Sequence, residues 1–163
     1  MKKQNKMSIE FLSLPQNEGF ARTVISAFCL EANPSLEELS DIKTAVSEAV
    51  TNCVVHAYER TVGIIRMSAA IENGALYVEI IDTGRGIEDI LKAREPFFTT
   101  KPNDERSGMG FTVMESFMDE VIVLKNAPGG TIVQMSKQIS GNEALQTKKQ
   151  SGGGQNALSQ RNN

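Results

Sequence analysis

Residues 48–58 of this 163-residue chain read EAVTNCVVHAY. They close a helix that is predicted to begin after Ser35, because Ser35 and Glu38 have the spacing of a capping box. The apolar face of this helix recurs every three or four positions: Leu39, Ile42, Ala45, Val46, Ala49, Val50, Cys53. Glu48 and Asn52 lie one turn apart and offset from that face, so the helix presents both side chains on one side.

Strands are predicted on both sides of this helix by alternating and β-branched residues. An edge strand at 8–14 and a helix from Asn17 to before Asn33 come first. Later strands are predicted at 63–71, 76–81, 121–124 and 131–137, with short helices at 88–94 and 108–118. Helices interleaved with hairpins predict a two-layer α/β sandwich, with helices over one face of a mixed, mostly antiparallel sheet.

The composition is that of one ordinary globular domain, with 40% hydrophobic and 23% charged residues. We place this domain at residues 1–140. Residues 141–163 are dominated by Gly, Ser, Gln, Asn and Lys, and their few apolar side chains cannot offset the entropy of ordering. That segment is predicted to be a disordered polar tail.

The charge and the cysteine content of the chain indicate which kinds of partner and which cellular compartment to expect. The net charge is −3 and basic residues are scattered, so direct nucleic-acid binding is not expected. No apolar run approaches the roughly 18 residues of a membrane span, and the first residues do not resemble a signal peptide. Cys29 and Cys53 lie in apolar helical stretches that are typical of buried free thiols. A cytoplasmic protein that does not bind membranes is expected.

Glu48 and Asn52 have the chemistry for phosphoryl transfer. An Asn oxygen can bind Mg²⁺, which also takes ligands from water and substrate phosphates, and a Glu can take a proton from an attacking hydroxyl. The spacing by itself favours a simpler interpretation, because such pairs are common on solvated helix faces.

Two glycine turns favour a binding site over a simple solvated helix face. Asp82, Gly84 and Gly86 follow a strand directly, where the backbone can approach a ligand and Asp82 can accept a hydrogen bond from an exocyclic amine. Residues 107–110 read SGMG at a helix start, where free N–H groups favour a phosphate. The loop at 95–107 between the turns is either a lid over a ligand or a plain connector.

Three segments together resemble a known family. Residues 48–58, 82–87 and 106–111 resemble the N box and the two glycine boxes of the ATPase superfamily of gyrases and histidine kinases. Within that superfamily the chain is most similar to the anti-sigma-F factor family of spore-forming bacteria, with further matches at 96–102 and 115–119. The resemblance covers roughly residues 8–138 and implies the Bergerat-type ATP-binding fold.

The resemblance implies roles for particular residues. Glu48 would be the general base that deprotonates a substrate serine, Asn52 would hold Mg²⁺ at the ATP phosphates, and Asp82 would contact the adenine amino group. The other implied ATP-binding residues come from the glycine boxes, the loop between them and the last strand: Gly84, Gly86, Thr99, Lys101, Arg106, Gly108, Gly110, Thr131. His56, at the histidine position of the N box, is expected to be structural or solvent-bound.

The resemblance also implies partners. Such a protein would be a homodimer that holds a sporulation sigma factor of the sigma-F type and phosphorylates a serine of an anti-anti-sigma protein, which otherwise displaces the sigma factor. Arg22 is the candidate partner contact, although an ordinary exposed helix residue is an equal alternative. Three alternatives stay open: a nucleotide-gated anti-sigma module, a stress-response partner-switching protein, and an ATP hydrolase that uses Glu48 to activate water.

Overall fold

The computed structural model describes residues 4–96 and 109–141. Its strands form one five-stranded sheet in the order β1-β2-β3-β5-β4. Their bounds are β1 Asn5–Leu12, β2 Ile64–Glu72, β3 Ala75–Ile81, β4 Glu120–Lys125 and β5 Thr131–Gln138. All four strand pairings in the described ranges are antiparallel, so the mostly antiparallel sheet is confirmed and no parallel pair is found there.

The helices have the expected order along the chain. Their bounds are α1 Asn17–Cys29, α2 Leu36–Asn52, α3 Ile90–Ala93 and α4 Gly110–Phe117. A short 3-10 turn, Leu30–Ala32, follows α1, and a wider π-helical turn, Cys53–Ala57, continues α2. Within the described ranges, no helix has the length and apolar character that a membrane span requires.

The core lies between the sheet and the helices. Alternate residues of β2 and β3 point inward, and Ile65, Met67, Leu76 and Ile80 are fully buried. Each such side chain contributes about 1.5–3 kcal/mol by leaving water. Because α2 packs against both α1 and α4, it holds the centre of the helical layer. The two-layer α/β sandwich with helices over one face is therefore confirmed.

Several boundaries differ from those predicted. The first strand runs over Asn5–Leu12 rather than 8–14, because all eight residues pair with β2 and the chain turns at Pro15 and Gln16. The helix predicted at 88–94 is a single turn, Ile90–Ala93. The helix predicted at 108–118 is described from Gly110 to Phe117.

The capping box is confirmed. The Ser35 hydroxyl accepts a hydrogen bond from the Glu38 backbone N–H at 3.1 Å, and the Glu38 carboxylate accepts one from the Ser35 N–H at 2.8 Å. The same carboxylate accepts two hydrogen bonds from Ser140, so the start of α2 is also tied to the residues that follow β5. This contact fixes α2 against the sheet.

Candidate functional site

The end of α2 and the start of α4 meet at three of the predicted site residues. A Cβ atom built on Gly110 would lie 3.2 Å from Asn52 Oδ1 and 3.4 Å from Glu48 Oε2. Glu48 and Asn52 are both half-buried, and Gly110 is the first residue of α4. The structure therefore brings a carboxylate and an amide oxygen to a helix N-terminus, where backbone N–H groups favour an anion.

Asp82 is the buried carboxylate at the other end of the site. It directly follows β3 and is only 4% exposed. Its Oδ1 accepts hydrogen bonds from the backbone N–H groups of Gly84, at 3.0 Å, and Thr131, at 3.2 Å. Burial raises the pKa of Asp82, and hydrogen bonds from these two amides and a thiol offset part of that rise. The fold thus holds a carboxylate in one orientation as a hydrogen-bond acceptor.

The turn after β3 packs directly on the π turn. A Cβ atom on Gly84 would lie 2.3 Å from the carbonyl oxygen of Ala57, so only glycine allows this approach. The Arg85 N–H donates to that same carbonyl at 3.0 Å. The N box and the first glycine turn are therefore one packed unit.

A second close approach involves the turn before β5. Gly130 has a φ of +101°, and a Cβ atom there would lie 2.1 Å from the Asp82 carbonyl oxygen. Gly86, with a φ of +75°, lies beside it. The Asn126 side-chain amide donates to the Asp82 carbonyl at 2.8 Å. The strand end that carries Asp82 is therefore enclosed by backbone from the β4–β5 hairpin.

Tyr58 and Cys53 are two site-building residues that sequence analysis missed. The Tyr58 hydroxyl accepts from the Thr83 N–H at 2.9 Å and donates to the Ile64 carbonyl at 2.6 Å. The Cys53 thiol lies 3.6 Å from Asp82 Oδ2. The available signal was their position inside the N-box stretch, but nothing in the sequence says which distant residues they contact.

The remaining predicted residues are placed as follows. His56 is half-buried on the π turn. Arg22 is exposed on α1 and lies 3.5 Å from Glu18. The Glu18 carboxylate also accepts a hydrogen bond from Ser47, the residue before Glu48, so this surface of α1 is connected to α2.

Four predicted residues lie outside the described residues: Thr99, Lys101, Arg106, Gly108. The predicted polar tail lies outside them as well, apart from its first residue, Gly141. Both cysteines, Cys29 and Cys53, are buried free thiols, as predicted.

The donor set fits a magnesium ion held largely by its substrate. Among residues 4–96 and 109–141, no cluster of three or more His, Cys, Asp or Glu side chains could hold a metal ion. Mg²⁺ is commonly bound by one or two protein oxygens together with waters and phosphates. The Asn52 amide oxygen beside the Gly110 cradle suits that mode, because a side chain on Gly110 would fill the adjoining space.

Comparison with known proteins identifies the class of this domain. A family model described as a histidine kinase-like ATPase domain matches residues 11–137. A solved structure of RsbU and RsbW domains from Mycobacterium tuberculosis is similar in fold, with a TM-score of 0.61 at 21% identity. That similarity covers 83% of this chain and 32% of the longer mycobacterial chain. The chain therefore contains a histidine kinase-like ATPase domain.

Relatives that match over almost their full length identify the family within this class. An anti-sigma F factor of Caldanaerobacter subterraneus subsp. tengcongensis is 54% identical over 142 residues, which cover 87% of this chain and 99% of that protein. An anti-sigma F factor of a Thermoanaerobacter species is 54% identical over 139 residues, or 85% of this chain and 97% of that one. The chain therefore belongs to the anti-sigma F factor family of histidine kinase-like ATPase domains.

Proposed function

We propose that this chain is an anti-sigma factor and an ATP-dependent protein-serine kinase, which binds a sigma factor of the sigma-F type and phosphorylates a serine of its anti-anti-sigma partner. The observation that carries the proposal is the position of Glu48 beside Asn52 at the N-terminus of α4. Binding ATP with Mg²⁺ requires no general base, so a carboxylate at this point indicates catalysis.

Glu48 is the proposed general base. Its carboxylate takes the proton of the substrate serine, the serine oxygen forms the new bond to the γ-phosphorus, and the bond to the ADP oxygen breaks. Asn52 would hold Mg²⁺, which would neutralise charge on the phosphates. The N–H groups at the start of α4 and the Arg106 guanidinium are proposed to stabilise the transferred group, with Gly108 shaping the same cradle.

Asp82 is proposed to bind the other end of ATP. Its Oδ1 accepts hydrogen bonds from two backbone N–H groups, and these bonds fix the orientation of the carboxylate. A fixed acceptor is what the exocyclic amine of adenine requires. Gly84, Gly86 and Thr131 enclose this end of the site, and Thr99 and Lys101 are proposed to cover the nucleotide.

The proposed partners follow from the names of the relatives and from the surface of the chain. Arg22 is exposed on α1, where a partner protein can reach it. A homodimer is proposed through the sheet face that the helices leave uncovered, which exposes Tyr77 and Ile122. The proposed compartment is the cytoplasm, in keeping with two free thiols.

Transfer of labelled phosphate tests this proposal. Purified chain is incubated with γ-labelled Mg-ATP and a candidate anti-anti-sigma protein, and the products are separated. Label on a partner serine supports the kinase. Free phosphate without labelled protein would favour the hydrolase, and ATP binding with neither product would leave a nucleotide-gated module.

Substitution of the proposed base completes the test. Glu48→Gln keeps the shape of the side chain and removes its basicity, so we expect ATP affinity near that of the wild type and transfer reduced by at least about 100-fold. Glu37→Gln, on the exposed first turn of the same helix, is the matched control and should transfer normally. Unchanged transfer by Glu48→Gln would remove Glu48 from this role.

A further inference from the structure

A thiol lies against the carboxylate that is proposed to bind adenine. The Cys53 Sγ is 3.6 Å from Asp82 Oδ2, within hydrogen-bond range for sulfur. Both side chains are 4% exposed, and they are 29 residues apart in sequence. Cys53 begins the π turn directly after Asn52, so the residue that follows the proposed magnesium ligand contacts the opposite end of the site.

The two oxygens of Asp82 have different environments. Oδ1 accepts two hydrogen bonds from backbone amides, which no side-chain substitution removes. Oδ2 accepts from the Cys53 thiol, which is a weak donor. Rotation of the carboxylate about its Cβ–Cγ bond would break all three contacts. The thiol therefore strengthens the carboxylate orientation that the two backbone amides already favour.

Cys53 is equipped to act as a donor. An ionised carboxylate only accepts hydrogen bonds, so the hydrogen atom of this contact comes from the thiol. The second buried thiol, Cys29, lies at the end of α1.

We propose that Cys53 is a positioning residue for Asp82, and that its S–H group orients Oδ2 to accept the exocyclic amine of adenine. The inference rests on the proposed role of Asp82 in ATP binding. Cys53 would then contribute to nucleotide specificity. Its contact with Asp82 should strengthen binding of purine nucleotides that carry the 6-amino group and leave binding of those without it unchanged.

Two nucleotides separate this role from simple packing. ATP and purine riboside triphosphate, which has hydrogen in place of the 6-amino group, are titrated into the wild type, Cys53→Ala, Cys53→Val, Cys53→Ser and Cys29→Ala. Alanine and valine both lack the donor, and valine fills the space of the thiol. Serine restores a donor, and Cys29→Ala is the matched loss of a buried thiol elsewhere.

The ratio of the two affinities is the decisive quantity. We expect Cys53→Ala and Cys53→Val to weaken ATP binding by about twofold to fivefold, the lower part of the range for one hydrogen bond because a thiol is a weak donor, with little change for the analogue. Cys53→Ser should recover most of the wild-type ratio, and Cys29→Ala should keep it.

Equal weakening of both nucleotides, or an unchanged ratio in the donor-free variants that fold, would overturn the proposed role of Cys53 while leaving the adenine contact of Asp82 intact. A wild type that does not discriminate between the nucleotides would instead overturn the adenine contact itself, and this inference with it. Thermal melting of each variant identifies those that fold.

Discussion

At the scale of single residues, Asp82 places its charge where the fold disfavours it. The carboxylate is buried, and burial raises its pKa. The proposed adenine contact would explain why a charged side chain occupies this position, where a neutral amide would cost less to bury.

We expect Asp82→Asn to separate stability from function. The amide oxygen can still accept hydrogen bonds from the two backbone N–H groups. The amide NH₂ group, however, is a donor at the position where the adenine amine needs an acceptor. ATP affinity should fall by at least about tenfold, while the free energy of unfolding at neutral pH should equal or exceed that of the wild type. Titration calorimetry and denaturant unfolding measure the two. A variant that binds ATP normally would contradict the assignment.

The pH dependence of stability follows from the same pKa. Because the pKa of Asp82 is higher in the folded chain than in the unfolded chain, the folded state binds more protons between the two values. The contribution of Asp82 to stability therefore improves as the pH falls through that window. The free energy of unfolding of Asp82→Asn minus that of the wild type should therefore decrease as the pH falls through this window, and an increase would refute the linkage.

Asn52→Ala tests the proposed magnesium ligand. Removal of the amide oxygen should weaken binding of ATP in the presence of Mg²⁺ by about tenfold or more and leave the smaller, metal-free affinity unchanged. Thr44→Ala is the control on the same helix, because that hydroxyl bonds only to the Ser40 carbonyl among the contacts described. An Asn52→Ala variant with wild-type affinity in Mg²⁺ would count against the metal assignment.

The sequence supports part of this residue-scale account. Glu48 and Asn52 share a side of α2, and helical periodicity was enough to predict that they lie together. Their convergence with Gly110 depends on packing between α2 and α4, and the Cys53 contact with Asp82 joins a helical turn to a strand end. Contacts between distant segments of this kind have no local pattern in the sequence.

At the scale of elements, the site depends on how closely two turns pack. Gly84→Ala would place a methyl group 2.3 Å from the Ala57 carbonyl oxygen, so the glycine turn must move away from the π turn. We expect a loss of about 1–3 kcal/mol in the free energy of unfolding and weaker ATP binding.

A helical glycine provides the matched control. Gly19→Ala in α1 has room, because its Cβ would meet only the Arg22 guanidinium at 3.9 Å. This variant should gain up to about 1 kcal/mol in stability. Denaturant unfolding measures both substitutions, and a Gly84→Ala variant as stable as the wild type would show that the two turns do not need this approach.

Helices and strands were predicted well where residues close in sequence determine them. The capping box placed the start of α2, and alternating and β-branched residues placed the two strands of the β2–β3 hairpin. The π turn was not predicted, because an apolar stripe with helical spacing does not distinguish a π turn from a continued α-helix. Its wider winding accompanies the packing of Ala57 on Gly84, a contact made through the tertiary fold.

At the scale of the whole molecule, the sheet has one face covered by helices and one face that residues 4–96 and 109–141 leave uncovered. The uncovered face has a hollow of about 730 Å³ that includes Tyr77 and Ile122. Tyr77 is 49% exposed and Ile122 is 38% exposed. Apolar side chains on an open sheet face are typical of an interface.

Ile122→Glu tests the proposed homodimer. A carboxylate on this face would lie in the same hollow as Glu79 and Glu120, so two copies of the chain would repel each other there. Light scattering should show a shift toward monomer, with thermal stability of the monomer retained. Leu36→Glu changes an 88%-exposed apolar residue at the start of α2 and should leave the dimer intact. A dimer that survives Ile122→Glu would place the interface elsewhere.

Topology was the part of the whole fold that sequence reasoning left open. Hairpins join neighbours in the chain, so the β2–β3 and β4–β5 pairs could be expected. The edge position of the first strand was predicted and is confirmed. The β3–β5 pairing is a long-range choice, fixed when the α2 layer covers the sheet. The two-layer class was predictable because amphipathic helices and half-buried strands have few ways to cover each other's apolar faces.

Release of a sigma factor over time tests the central claim most directly. The chain is loaded with fluorescently labelled sigma factor of the sigma-F type and Mg-ATP, the anti-anti-sigma partner is added, and anisotropy follows the bound fraction. With the wild type we predict a transient release, because phosphorylation inactivates the partner and the sigma factor binds again. With Glu48→Gln the release should persist, because the partner stays unphosphorylated. Identical time courses for the two proteins would contradict a kinase that controls its own partner switch.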